Sequence, residues 1–123
     1  MQYEDVNRTL LTNFPDFFIE EDDLDLPYIV ASSFIRFLLD SYNNDGEAVY
    51  KQGLRFIEQL HKSECEETRE LATIGYLESL LDWPDKDALL KDLGSESKKW
   101  WIELNLFWNG KIKYVGESFA QSK

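Results

Sequence analysis

Along most of the chain, apolar residues recur three and four positions apart and are separated by short polar breaks, the pattern of successive amphipathic helices. The stretch from Leu71 to Leu81, LATIGYLESLL, is the least polar. Placed on a helix turning about 100° per residue, its apolar side chains cover nearly the whole circumference, which predicts a central helix covered by others. Glu78 falls inside the arc of Leu71, Ile74 and Leu81. A carboxylate there is expected to be buried and held by a partner from another helix, because an unpaired buried charge is costly. A functional carboxylate is the alternative.

The remaining elements follow from the same periodicity. Residues 3 to 13 form a short helix with Val6 and Leu10 on one side, ended by Asn13 and Pro15. DFFIEEDDLDLP then carries Asp16, Glu20, Glu21, Asp22, Asp23 and Asp25 with no basic residue among them. Phe17, Phe18 and Ile19 are expected to pin this connection to the core while the acids face water. It lacks the ordering of a calcium loop, and reads either as a solvated loop or as a partner-binding surface. A second helix starts at Asp25 to Pro27 and runs to about Tyr42. After the turn NNDG, with Asp45 as its expected cap, a third spans about 46 to 62. Val49, Tyr50, Gly53, Leu54, Phe56, Ile57 and Leu60 share its apolar side, and Lys51, Arg55, Glu58 and Lys62 share the other. His61, at the edge of the apolar arc, reads as a packed histidine.

Ser63-Glu64-Cys65-Glu66 fits a capping box opening the fourth helix. The short connection predicts an antiparallel hairpin of helices three and four. Gly53 and Gly75 lie equidistant from Glu64, so both are expected at one height, facing each other across a close approach. Trp83-Pro84 ends helix four, and Asp85 can cap a fifth helix closed by Gly94. Ser95 opens a sixth, apolar on two sides through Trp100, Trp101, Ile102, Leu104, Leu106, Phe107 and Trp108. That segment is either deeply buried or offers an apolar strip to a partner. An extended piece and a polar tail follow Asn109-Gly110. The expected fold is therefore all-α: a single domain over 1–123, an antiparallel bundle or short HEAT-like or tetratricopeptide-like stack of five to six helices. Residues 1–26 give a helix and the acidic connection, 27–109 the helical core and 110–123 the tail.

Composition sharpens the functional question. The chain has 24 acidic against 13 basic residues among 123, a formal net charge of −11. That argues against binding nucleic acid or an anionic membrane surface and suits a basic protein partner. No secretory signal is visible at MQYEDVNRTL and no apolar run has bilayer length. Cys65 is the only cysteine, so the expected location is a reducing cytoplasm. One histidine and one cysteine supply no common zinc site, and the phosphate-loop, dinucleotide and nucleophile-elbow motifs are missing. His61 and Cys65 straddle a helix junction without an orienting third group. No cofactor is expected, and an enzyme is the weaker expectation.

The order PYIV at 27–30, ELATIGYLESL at 70–80, LG at 93–94 and WW at 100–101 resembles a family of small helical bacterial proteins. Members are associated with polymorphic-toxin or contact-dependent inhibition systems, where they act as immunity proteins. The resemblance covers Pro27 to Trp108 through packing residues, and no toxin-contacting residue carries over. It implies toxin neutralisation by binding a cognate, basic toxin domain, for instance a nuclease. Asp16, Glu20, Glu21, Asp22, Asp23 and Asp25 would be the partner-binding surface. Two other classes stay open: a helical scaffold or adaptor that binds a peptide or protein, and a carboxylate-dependent hydrolase.

Overall fold

The computed structural model describes residues 1–116. A turn of 3-10 helix at Tyr3–Asp5 leads into α1 (Val6–Asn13). The acidic connection contains a second such turn, Glu21–Asp23, and enters α2 (Pro27–Asn43), with Pro27 in the first turn. Next come α3 (Glu47–His61), α4 (Glu66–Glu70), α5 (Lys86–Asp92) and α6 (Ser95–Trp108). No strand occurs among the described residues, so the fold is all-α.

α4 does not continue as ordinary α-helix. From Leu71 to Leu77 the backbone is π-helical, with hydrogen bonds reaching five residues rather than four. This wider coil turns each residue through a smaller angle, so side-chain positions drift away from α-helical phase. Leu71, Ala72, Thr73, Gly75, Tyr76 and Leu77 are all buried. Ile74 swings outward to 38% exposure, and Glu78 is half-buried with no hydrogen bond or ion pair among the described residues. The expectation of a buried, paired Glu78 therefore fails because it assumed α-helical phase across a π segment.

α2, α3 and the π segment pack against one another around the core, α6 covers α3 and the π segment, and α1 lies on α2. One aromatic cluster joins α1, its following loop and the centre. The Phe34 ring lies 4.8 Å from Phe14, 5.2 Å from Phe17 and 6.1 Å from Tyr76. Near the other end of α2, Trp83 stacks on Tyr50 at 5.3 Å and meets Tyr42 edge-on at 5.4 Å.

Gly53 and Gly75 do mark close approaches, but to α2 and not to each other. A Cβ on Gly53 would lie 2.6 Å from the Leu38 methyls. One on Gly75 would lie 3.3 Å from both Ala31 and Tyr28, besides its own helix neighbour Leu71 at 2.8 Å. The hairpin reasoning ignored a third helix, α2, which meets Gly53 at Leu38 and Gly75 at Ala31 and Tyr28.

Local endings also depart from expectation. Asp45 takes a left-handed turn (φ 65°) and Gly46, not Asp45, precedes α3, with no side-chain cap. Ser63 accepts from the N–H of Cys65 at 3.1 Å and donates to the Met1 carbonyl at 2.6 Å, so it forms no capping box with Glu66. Asp85 does cap α5, accepting from the N–H of Ala88 at 3.1 Å. Gly110 has φ 72°, where glycine avoids the left-handed penalty, and ends α6. Residues 111–116 form turns and bends, not the expected extended piece, and the rest of the tail lies outside the described residues.

Candidate interaction surface

The acidic connection is held at alternating points. Phe17 is buried against Phe34 and Phe37, the latter at 5.3 Å, and Asn7 donates from its side chain to the Leu24 carbonyl at 2.8 Å. Around these anchors, Asp16, Glu20, Glu21, Asp22 and Asp25 are exposed and Asp23 is half-buried. None of the six forms an ion pair among the described residues; the pairs present lie elsewhere, at Arg8–Asp5, Lys51–Glu47, Lys62–Glu58 and Lys99–Glu96. The structure thus brings the six acids onto one connection and leaves their charges uncompensated. It departs from expectation at Phe18, which does not pin the loop: its ring is 76% exposed. Ile19 is partly buried against the core.

Opposite chemistry governs the junction of α3 and α6. Gly94 precedes the first residue of α6 with an extended backbone and offers no capping side chain. The missing cap comes from another helix. Glu58 on α3 accepts from the N–H groups of Glu96 at 3.1 Å and Ser97 at 2.9 Å, the donors left free at a helix start. A carboxylate at that end also meets the positive pole of the helix dipole. Burial pushes the Glu58 carboxyl up, yet these backbone hydrogen bonds, the Ser97 side chain and the Lys62 ammonium outweigh it and hold its pKa below the usual range. Gly94 is required for a reason other than the one its sequence position suggested. It does not close α5, whose last turn runs into Leu93; a Cβ at 94 would strike the Glu58 carboxyl group.

Behind this cap lies His61, 4% exposed. Its Nδ1 is 2.8 Å from the Ser97 hydroxyl and its Nε2 is 3.0 Å from the Thr73 hydroxyl on the π segment. Burial lowers its pKa to about 4, so the ring is neutral at physiological pH. Glutamate, serine and histidine are adjacent here, as in a nucleophilic triad, but Ser97 is completely enclosed. A nucleophile needs access to substrate, and this cluster joins three helices instead. The packed-histidine reading holds; its partners Ser97 and Thr73 carried no sequence signal. Glu103 is the acid that is buried, at 1% exposure, accepting from the N–H of Gly116 at 3.0 Å.

Two of the open grooves lie beside the π segment and α6. One, of about 440 Å³, runs beside the π segment between Arg69, Glu70, Ile74 and Trp100. Another, of about 420 Å³, lies between Glu78, Lys86 and Trp108, which is 58% exposed. The Trp-rich helix is neither wholly buried nor wholly exposed: Trp101 and Leu104 are buried, while Ile102 and Trp108 face outward. No group of three or more potential metal-ligating side chains occurs among the described residues. No helix among them is long and apolar enough to cross a membrane.

Residues 7–109 match the model of DUF7674, a domain of unknown function. The chain belongs to this family. The match spans α1 through α6, so the acidic connection and the Glu58–His61 junction both lie within the DUF7674 domain. No curated protein and no solved structure matches the chain.

Proposed function

We propose that this DUF7674 chain is a cytoplasmic binding protein that neutralises a basic toxin domain, using the surface at 16 to 25 to meet it. The observation that supports this reading most is the set of six acidic side chains held on one connection without an internal counter-charge. The overall charge of −11 acts in the same direction, and the resemblance of the packing residues to immunity proteins supplies the class of partner. Neutralisation proceeds by binding. The acidic face is drawn to the cationic cleft with which a nucleic-acid-degrading toxin would hold its substrate, and occupying that cleft excludes the substrate. Such charge complementarity accelerates encounter and disfavours wrong partners.

Co-expression with a basic toxic domain encoded in an adjoining gene tests the proposal. Cells should survive, and the two proteins should copurify. Cells that die equally fast with and without this protein, with no measurable complex, would refute it.

A helical adaptor is the second reading, favoured by the groove of about 440 Å³ along the π segment, since local π-helix often accompanies a functional site. Under that reading, substitutions at Ile74 would abolish partner binding and amides at 16 to 25 would not.

A further inference from the structure

We infer that Phe18 is the apolar anchor of the docking surface, and that its ring enters an apolar pocket rimmed by lysine or arginine on a basic protein. The inference rests on the proposal that the 16–25 face docks a basic protein, and is independent of whether that protein is a toxin.

Adjacent residues of the loop point to opposite sides. Phe17 enters the core against Phe34 and Phe37, while Phe18 stands 76% exposed. Phe18 is also one wall of a shallow groove of about 180 Å³ with Ile19, Glu20, Asp23, Val30 and Ser33. Ile29, one turn before Ser33 on α2, extends the apolar surface and is 48% exposed. Single exposed apolar residues are ordinary. Here an aromatic ring shares a groove with Ile19 and Val30 and with the carboxylates of Glu20 and Asp23.

That combination selects the occupant. Both charged residues that line the groove, Glu20 and Asp23, are acidic, and no lysine or arginine lies between Arg8 and Arg36 in the sequence. A second copy of this chain would bring the same charges face to face, and an anionic surface would be repelled. A basic surface with an apolar recess satisfies both parts: the ring leaves water and the rim charges are paired. Interfaces commonly have this anatomy, an aromatic anchor within a polar rim.

The test is selection of displayed random short peptides on the immobilised full-length chain. Selected peptides should carry net positive charge and at least one large apolar residue. Phe18→Ser should weaken their binding about tenfold or more, as loss of an anchor does, while Phe18→Leu retains most of it. Circular dichroism and melting temperature should be nearly unchanged in both variants, because the ring is 76% exposed. Peptides that bind Phe18→Ser as well as the parent, that are neutral or acidic, or that cannot be selected at all would overturn the inference. Cells killed by the neighbouring toxin despite successful selection of such peptides would overturn the toxin reading alone.

Discussion

Two regions use acidic residues in opposite ways. At the α3–α6 junction, Glu58 is half-buried, spans two helices and accepts two backbone hydrogen bonds that no local residue offers to take. At 16 to 25, six acids stand on an irregular connection and have no ion-pair partner among the described residues. The first arrangement stabilises the fold, because an unsatisfied helix start beneath α3 would cost more than the carboxylate's desolvation. The second has no ion-pair partner among the described residues and adds repulsion, so its charges are available to something outside the chain. Where a carboxylate's partners lie, within the molecule or beyond it, separates structural acids from interacting ones.

The comparison can be broken by titration, and the largest effect belongs to His61. In the unfolded chain this group titrates near 6.5, and in the fold near 4. A depressed histidine pKa means that the fold disfavours the charged ring. Its contribution is therefore fully present above pH 6.5 and is lost as pH falls from 6.5 toward 4, about 3 kcal/mol in all. Urea unfolding across that range should show the decline, and His61→Asn should remove it while lowering stability at neutral pH. Glu58 loses its contribution in a lower window, below its unfolded pKa, since its folded value is depressed.

Next in size, Glu58→Ala should cost about 2 kcal/mol by freeing the N–H groups of Glu96 and Ser97. Denaturant midpoints check this. Gly94→Ala should cost about 1 kcal/mol, because the added methyl displaces the same carboxylate. In the Glu58→Ala background that cost should disappear, and a double-mutant cycle measures the coupling. Smallest of all, replacing Glu21, Asp22, Asp23 and Asp25 by their amides should change stability by less than about 0.5 kcal/mol.

How much of this was legible in the sequence depends on what each inference assumed. Six helices, their order and most boundaries follow from apolar periodicity and from Pro27, Asp85 and Gly110. The acidic connection was visible as a run of like charge. The rest needed facts that one-dimensional spacing does not hold. Glu78 was misplaced because Leu71–Leu77 abandons α-helical phase. Glu103, an acid inside the apolar run of α6 that the sequence reading did not single out, is the one the fold buries among the described residues. Gly53 and Gly75 were assigned to each other because sequence distance cannot reveal α2 crossing both. Glu58 looked like one more residue of a solvated face. A usable signal lay at the other end of the contact, since Gly94 is a poor cap and a helix start without a local cap must be satisfied from elsewhere. Phe18 had no periodicity to assign it inward or outward.

The most direct test of the acidic surface is the rate at which this chain associates with a basic toxic domain of the proposed kind, measured against salt. The parent and the variant with amides at Glu21, Asp22, Asp23 and Asp25 are compared. Screening shortens from about 10 Å at 0.1 M salt to about 3 Å at 1 M. The parent should associate faster at low salt and converge with the variant at high salt, with dissociation rates nearly equal. A variant that associates as fast as the parent at low salt would show that these acids do not guide the partner in.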